Sequence, residues 1–324
     1  MKKLLCTLLC ALLALAALPV LAEEAPVFLL RQSDYMKSLG YEDVALDHVP
    51  ERVACMTTYP FRTLYELGVN FVAVAETSTF EYPEEIKPLV VPAVMSSTFD
   101  LEGIVALEPD LVLLPDSAMA THGATLQEMG IPVFAVPTKE PGQDVYTTVK
   151  NQTEAYIEAF ARDDAALAAA GDMRARFAAL DARIAEAKER YAGKTFFGAT
   201  CVSGTDFYLQ AQTSTVSSMM QLLGFTNIYA ESMGDTNAPA SLETFADVES
   251  DLFVFTSQGT TTVEDAEAFC TECMATNQAL WDTVPAVSRG DVLYLPSGYV
   301  VTAGLNIIDN LGGLIDLLDA HYAA

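Results

Sequence analysis

Basic side chains are scarce in this chain. It contains 17 Lys and Arg residues against 44 Asp and Glu residues, which gives a formal net charge of −27 over 324 residues. A field of this sign repels nucleic acid and anionic lipid, and it opposes an anionic ligand unless the binding pocket supplies its own cations. The composition therefore predicts no nucleic-acid partner, and solubility alone accounts for most of the charge.

Long apolar runs are absent after the first 22 residues. Those residues have the parts of a secretory signal: two lysines, an apolar run from Leu4 to Leu18, and a small-residue cleavage site ending at Ala22. No later segment offers the roughly 18 consecutive apolar residues that a membrane span requires. Cys6 and Cys10 come too early for a lipoprotein signal, so we expect a soluble protein exported to the periplasm or the extracellular space.

Cysteine and histidine are also few. Cys55 and Cys201 each fall in an apolar run, which predicts buried thiols. Cys270 and Cys273 lie three positions apart in a helical pattern. A strained local disulfide between them is one alternative. A zinc site is not expected, because no second pair of cysteines and no nearby histidine would complete the four ligands. We therefore expect no cofactor and no metal held by the protein itself.

Sequence motifs of catalysis are missing as well. There is no Gly-x-Ser-x-Gly, no His-Glu-x-x-His, no Gly-rich phosphate loop and no cysteine beside a histidine. Carboxylates are abundant, but abundance alone does not nominate an acid/base pair. The sequence therefore gives no reason to expect an enzyme.

A repeated segment is the most informative feature that is present. Residues 100–114 and 241–255 have the same residue at five matching positions, which are Leu101/Leu242, Glu102/Glu243, Glu108/Glu249, Asp110/Asp251 and Leu111/Leu252. In each segment a capping residue precedes a short amphipathic helix, an acidic turn follows, and an apolar run predicts a buried parallel strand. The repeat indicates two similar halves.

Apolar runs alternate with helical patterns from Arg52 onward, which is typical of α/β halves with parallel sheets. Glycines 68, 130 and 224 are expected to end helices. For the second half we predict, among other elements, a loop at Ser203–Gln212, a strand at Asn227–Ala230, and helices at Leu242–Val248, Glu264–Trp281 and Ala303–His321.

Between the halves the chain turns helical. An apolar stripe recurs every three or four residues, formed by Ala166, Ala170, Met173, Phe177, Leu180, Ile184, Ala187 and Tyr191. A coiled-coil dimer is the alternative, but alanine and tyrosine are poor seam residues. We predict an N-terminal lobe at residues 23–160, a bridging helix at 161–193 and a C-terminal lobe at 194–324, in a chain that is monomeric.

These pieces resemble the substrate-binding proteins of ABC importers for iron-siderophores, haem and cobalamin. The similarity covers the chain from about Val44 onward and is carried by Pro50-Glu-Arg-Val, Leu67-Gly-Val, the segment that starts at Asp100, and the segment from Leu280 to Val292. The resemblance implies two Rossmann-like α/β lobes with parallel sheets joined by a single long helix, the class III binding-protein fold. It also implies an importer permease as partner and a metal chelate or corrinoid as ligand, which itself carries the iron or cobalt.

The resemblance further implies a role for the repeated glutamates. Members of this family present one carboxylate on each lobe to arginines of the permease, and Glu102 and Glu243 occupy the matching positions. Stabilisation of a helix N-terminus, worth about 0.3 to 1 kcal/mol, is the alternative role.

Ligands of α/β lobes meet the loops at the carboxyl ends of the strands. Aromatic side chains in those loops suit a large flat ligand. The candidate ligand-binding residues are Tyr59, Arg62, Tyr82, His122, Tyr208 and Tyr299. Phe61 and Phe80 are expected to pack under the loops. For His122 the alternative is a solvated surface residue, and for Arg62 it is a surface ion pair.

Cations are scarce in these loops, whereas highly anionic catecholate siderophores or ferric citrate require several. This favours corrinoids, neutral hydroxamate chelates or haem. Two other hypotheses stay open: a metal-cofactor assembly or chelatase-like enzyme, and a secreted carrier with the same fold.

Overall fold

The structure is a computed structural model that describes residues 26–138, 140–203, 206–228, 237–240, 242–245, 248–301 and 303–323, with the side chains of Ser203, Leu242 and Glu243 left out. The predicted signal segment lies outside the described residues. Within the described ranges, every helix is too short or too polar to cross a membrane.

The first half folds around a five-stranded parallel sheet. The strands of this half are β1 (Phe28–Leu30), β2 (Val44–Leu46), β3 (Val53–Cys55), β4 (Phe71–Ala75), β5 (Val90–Val91), β6 (Leu111–Pro115) and β7 (Val133–Val136). Its helices are α1 (Asp34–Ser38), α2 (Phe61–Glu66), α3 (Leu101–Ala106), α4 (Ala124–Glu128) and α5 (Val145–Phe160). The sheet order is β5-β4-β3-β6-β7, and β1 and β2 form a separate antiparallel hairpin.

One long helix, α6 (Asp164–Arg190), follows the first half. The Asp163 side chain caps it by accepting a hydrogen bond from the Ala166 N–H at 2.8 Å. All the apolar stripe residues are buried within this one chain, from Ala166 through Tyr191. The stripe therefore packs within this chain, in a buried cluster that also holds side chains of both halves.

The second half repeats the parallel core and adds antiparallel strands at one edge. Its strands are β8 (Thr195–Ser203), β9 (Asp206–Leu209), β10 (Thr226–Asn227), β11 (Ala238–Ala240), β12 (Leu252–Ser257) and β13 (Val292–Leu295). Its helices are α7 (Thr215–Leu222), α8 (Val263–Ala275), α9 (Gln278–Trp281), α10 (Pro285–Arg289), α11 (Ser297–Val300) and α12 (Ile307–Ala323). The sheet order is β11-β9-β8-β12-β13, with β10 parallel to the start of β8.

Three elements of the second half differ in form or in their bounds from the prediction. The expected loop at Ser203–Gln212 contains β9, which pairs antiparallel with β8. The expected helix at Glu264–Trp281 is broken at Asn277, whose backbone leaves the helical region with φ −134° and ψ 41°. The last helix begins at Ile307 because Gly304 has a positive φ and starts a separate 3₁₀ turn.

Other predictions fall partly outside the described residues. The strand expected at Asn227–Ala230 is described only to Ile228, and β10 ends at Asn227. The helix expected at Leu242–Val248 is described as a 3₁₀ turn at Leu242–Phe245. The glycines at 68, 130 and 224 have positive φ after their helices, as predicted.

The repeated aspartates, Asp110 and Asp251, have the same structural role in the two halves. Asp110 accepts hydrogen bonds from the backbone N–H groups of Glu51 and Arg52 at 2.7 and 2.9 Å, which fixes the start of β3 beside β6. Asp251 accepts from the Thr195 N–H at 2.7 Å and fixes the start of β8 beside β12 in the same way. The two halves therefore align their central strands with the same device.

The largest buried cluster of apolar side chains is continuous across both halves, α6 and α12. A second cluster, on the outer face of the C-terminal sheet, holds Cys201, Cys270 and Cys273. All four described cysteines are buried free thiols, as predicted for Cys55 and Cys201. Burial raises the pKa of Cys55 to about 12, so this thiol stays protonated at neutral pH.

Candidate functional site

A cavity of about 630 Å³ opens where the strands of the N-terminal sheet end. It is lined by Met56–Thr58 after β3, Ala75–Thr79 after β4, Ala93–Met95 after β5, Pro115 at the end of β6, and Val301 from the C-terminal lobe. Carboxyl ends of parallel strands are where α/β lobes bind ligands. We therefore take this inter-lobe cleft as the candidate site.

A second cavity, of about 580 Å³, lies at the flank of the N-terminal lobe between the β1–β2 hairpin and β7. It is lined by Gln32, Tyr41, Asp43, Met119 and Ala135 among others. None of the described residues that line this groove belongs to the C-terminal lobe. We therefore place the candidate site in the inter-lobe cleft.

The lining of the cleft is rich in hydroxyl groups and thioethers. The Thr77 and Thr79 hydroxyls are 2.8 Å apart, and the Met95 side chain is 79 % exposed. Among the residues that line this cavity in the described part of the chain, none is Lys or Arg. The surface therefore offers flexible apolar contact and neutral hydrogen-bonding groups.

Two carboxylates lie at the cleft. Glu76 lines the cavity, is exposed, and accepts a hydrogen bond from the Ala93 N–H at 3.2 Å. Asp116 follows Pro115 at the end of β6, and partial burial raises the pKa of its carboxyl group. Asp116 also contributes to the raised pKa of Tyr59, after burial of the phenol itself, so this carboxylate and Tyr59 are neighbours.

Tyr59 lies where the two lobes meet. Its carbonyl oxygen would be only 1.7 Å from a Cβ atom at position 304, so Gly304 permits the close approach of the C-terminal lobe. Tyr59 is partly buried and follows the cavity residue Thr58. Of the predicted tyrosines, it is the nearest in sequence to the cleft lining.

Tyr299 packs against α12 and is not among the described residues that line the cavity. Its hydroxyl lies 2.8 Å from the place where Gly313 of α12 would carry a Cβ atom, and burial is the main cause of its raised pKa. The expectation that this tyrosine faces a ligand does not agree with its position, because the ring fills space against α12.

Tyr82 is a core residue with 8 % exposure. Its hydroxyl donates to the Ala75 carbonyl at 2.5 Å, and its ring meets Phe61 and Phe80 edge to face. We expected partial exposure because a tyrosine in a polar loop usually keeps its hydroxyl wet, and that expectation was wrong. Phe61 packs under the loops as predicted.

Arg62 is engaged in contacts within the protein. It donates from Nε to Glu66 at 3.0 Å and from Nη1 to Asn306 at 2.9 Å, and it also pairs with Asp309. Asn306 and Asp309 come from the C-terminal lobe, so Arg62 ties the lobes together. These contacts correct its assignment as a ligand residue, because its guanidinium is already paired with two carboxylates.

The side chains of His122 and Tyr208 are both partly accessible to solvent. His122 lies in a π-helical turn, Met119–Gly123, and its partly buried ring meets Phe99 edge to face at 5.0 Å. Tyr208 lies on β9 and is 39 % exposed. Neither ring is part of the cavity lining among the described residues. Residues 204–205, 229–236 and 302, which follow strands of the C-terminal lobe in the sequence, lie outside the described residues.

The repeated glutamates lie at equivalent places in the fold. Glu102 is exposed in the first turn of α3, just before β6. The backbone of Glu243 lies in the turn before β12, and its side chain lies outside the described residues. β6 and β12 are equivalent strands of the two sheets, so the glutamates are related by the internal repeat.

Ligand contacts were expected in the loops at the strand ends, but the side chains that line the cavity were not among the predicted residues. Met56, Glu76, Thr77 and Met95 were not singled out. A usable signal was present for two of them, since Glu76 and Thr77 directly follow a predicted strand. Met95 follows β5, which has only two residues and gives no periodic pattern.

Known proteins resemble the chain over different lengths. A cobalamin-binding protein of Halobacterium salinarum is 34 % identical over 93 residues, and the lipoprotein YvrC of Bacillus subtilis, an uncharacterised ABC transporter substrate-binding protein, is 26 % identical over 117. The matches cover 28 % and 35 % of this chain, and only 25 % and 37 % of those relatives.

The fold matches over nearly the whole of a solved structure. PiuA, an iron uptake ABC transporter substrate-binding protein from Streptococcus pneumoniae, superposes with a TM-score of 0.66 and 21 % identity, covering 90 % of this chain and 98 % of its own. This confirms the predicted α/β fold of class III binding proteins. The family model described as "Periplasmic binding protein" matches residues 53–299, so the chain belongs to that family.

Proposed function

We propose that this protein is an exported solute-binding protein that captures a metal chelate, such as an iron-siderophore or haem, or a corrinoid, and delivers it to the permease of an ABC importer. The observation that carries the proposal is the cavity at the carboxyl ends of β3 to β6, to which the C-terminal lobe contributes Val301. The cobalamin-binding and iron-uptake relatives support this ligand class.

The size and surface of the cleft fit such a ligand. A cavity of about 630 Å³ is within the usual range for small-molecule sites, and the exposed Met95 and the threonines offer adaptable contacts to a large flat ligand. Tyr59 at the lobe junction and the exposed Tyr208 stay as proposed ligand contacts, and His122 stays as a proposed axial ligand. Arg62, Tyr82 and Tyr299 leave this set because their polar groups are used within the protein or turned toward it.

The proposed role involves no chemical change of the ligand. The family and the similar proteins are transport proteins, and this supports a binding role over the enzyme alternative. A secreted carrier with the same fold differs from the proposal only in having no permease. The docking experiment below separates those two.

Ligand binding is tested by titrating the purified protein with cyanocobalamin, haem and a ferric hydroxamate, followed by visible absorbance and native mass spectrometry. The proposal predicts one ligand per chain for at least one of the three, with a shifted absorption band. No complex with any of them would contradict the proposed ligand class.

Docking on the permease is the second part of the proposal. We propose that Glu102 and Glu243 pair with arginines of the two permease subunits, because charge-assisted pairs on both lobes would set the orientation of the protein on a two-fold transporter. The exposed position of Glu102 and the equivalent backbone position of Glu243 support this role.

The test compares ligand import by the wild type and by the double variant Glu102→Ala/Glu243→Ala. We expect import to be lost while ligand affinity is unchanged. The matched control is Glu128→Ala/Glu264→Ala, which removes one exposed glutamate from each lobe elsewhere. Normal import by the Glu102→Ala/Glu243→Ala variant would rule out docking through these residues.

A further inference from the structure

Basic residues are almost absent from the C-terminal lobe. Between residues 195 and 324 the sequence has a single Lys or Arg, which is Arg289. Its guanidinium pairs with Asp291 at 2.6 Å and donates to the Ser250 carbonyl at 2.9 Å. Every loop that follows a strand of this lobe therefore lacks a basic residue by sequence, including the loops outside the described residues.

The N-terminal side of the cleft is equally poor in cations. Its lining has no Lys or Arg among the described residues, and Arg62 is held by Glu66, Asn306 and Asp309. Lys139, which follows β7 in the sequence, lies outside the described residues. Among the described residues of the cleft, therefore, no Lys or Arg offsets the negative charge of the carboxylates that a bound ligand would meet.

Glu76 is the carboxylate best placed to act on a ligand. It lines the cavity, is exposed, and is oriented by the Ala93 N–H. In the described part of the chain it forms no ion pair. Asp116 adds a second, more buried carboxylate at the neighbouring strand end, where burial disfavours its charged form.

Electrostatics then sort ligands by charge. A cationic ligand brings its own counter-charge to Glu76, whereas an anionic ligand leaves like charges together in a partly desolvated cleft. We infer that Glu76 makes this cleft select positively charged chelates or corrinoids over neutral ones, and neutral ones over anionic ones. The inference rests on the proposed function and specifies the ligand class of the same site.

The expected size of the effect is modest and measurable. One unit charge close to a carboxylate near a protein surface changes affinity by about tenfold. Because the Debye length is about 10 Å at 0.1 M salt and about 3 Å at 1 M, the preference should shrink as salt is added. A preference caused by shape alone would not depend on salt in this way.

A matched ligand series tests the inference. Ferrioxamine B, its N-acetyl derivative and its N-succinyl derivative share one ferric core and carry one positive charge, none and one negative charge. Aquacobalamin and cyanocobalamin give a cationic and a neutral corrinoid in the same way. We expect affinity to fall by about tenfold at each step toward negative charge, and the steps to narrow in high salt.

Variants assign the effect to Glu76. Glu76→Gln keeps an oxygen for the Ala93 N–H, so we expect normal folding and loss of the cationic preference, with the affinities for the cationic and the neutral ligand becoming equal. The control is Glu81→Gln, an exposed glutamate of the same loop that does not line the cavity. Lys139→Gln checks the one loop cation that lies outside the described residues, and we expect it to leave the charge order intact.

The outcomes are separable. Equal affinity across the charge series, or a charge preference that survives Glu76→Gln, overturns the inference while the proposed function stands. A preference for the anionic ligand that disappears in Lys139→Gln also overturns it. Failure to bind any chelate or corrinoid of any charge contradicts the proposed function and the inference with it.

Discussion

Along α6, four arginines pair with carboxylates of neighbouring elements, whereas the described lining of the cleft has carboxylates and hydroxyl groups but no Lys or Arg. We call the first region the bridging-helix face, formed by α6 with the parts of α2, α5 and α12 that it contacts. The chain has few basic residues, and four of them form ion pairs that hold α6 against elements of both lobes. Under the proposed function, ligand recognition would rely on apolar contact, neutral hydrogen bonds and uncompensated negative charge.

The junction of the lobes should be the most sensitive point of the bridging arrangement. Gly304→Ala places a Cβ atom 1.7 Å from the Tyr59 carbonyl oxygen at a residue with φ +50°, so the lobes must separate or the backbone must shift. We expect the free energy of unfolding to fall by about 3 kcal/mol. Chemical denaturation measures this.

The control for that substitution is Gly298→Ala. A Cβ atom at position 298 meets nothing within 4 Å, so we expect a change of less than about 1 kcal/mol. If Gly304→Ala were no more harmful than Gly298→Ala, the close contact between the lobes would be wrong.

A shared carboxylate is the next strongest element of the bridging-helix face. Glu66 pairs with both Arg62 and Arg176, and its side chain is only 25 % exposed. Glu66→Ala leaves two partly buried guanidinium groups with fewer partners, so we expect a loss of about 1–2 kcal/mol of unfolding free energy. The more exposed pair Arg174–Glu154 is the comparison, and Glu154→Ala should lose no more than about 0.5 kcal/mol.

Two aspartates should respond to pH with opposite signs. Hydrogen bonds from Arg190 and Tyr191 lower the pKa of Asp319 on the bridging-helix face, whereas burial raises the pKa of Asp116 at the cleft. Asp319 therefore contributes stability above its unfolded pKa, near 4, and loses it as pH falls through its lowered folded pKa. For Asp116 the charged form opposes folding, and this penalty appears as pH rises through its raised folded pKa.

At neutral pH we expect Asp319→Asn to destabilise the protein and Asp116→Asn to stabilise it, each by about 0.5 kcal/mol because both groups are partly screened by solvent. The stabilisation by Asp116→Asn should vanish below pH 4. Denaturation curves at pH 7 and at acid pH measure both changes. Equal signs for the two variants at pH 7 would contradict the contrast between the two regions.

The features predictable from sequence are those that depend on periodic or repeated patterns. The stripe from Ala166 to Tyr191 predicted one long helix with a buried face, and the segments around Asp110 and Asp251 predicted equivalent strands, because each pattern is local in the chain. The antiparallel strand β9 was missed because four residues give little periodicity.

The site was harder to predict because its side chains depend on distant partners. Arg62 is paired with Asp309, which is 247 positions away, and Tyr299 is placed by the missing Cβ of Gly313. Tyr82 finds its acceptor at the end of β4 and becomes buried. Residue type and loop position alone carry no information about these contacts.

The central claim is that ligand binds in the cleft between the lobes, and one titration tests it most directly. Thr58 lines the cavity, so Thr58→Trp should fill part of it, while Thr276→Trp alters an exposed residue on the outer side of the C-terminal lobe. The account predicts that the wild type and Thr276→Trp bind the same chelate or corrinoid equally and that Thr58→Trp binds it at least about tenfold more weakly. Equal affinity in all three proteins would contradict it.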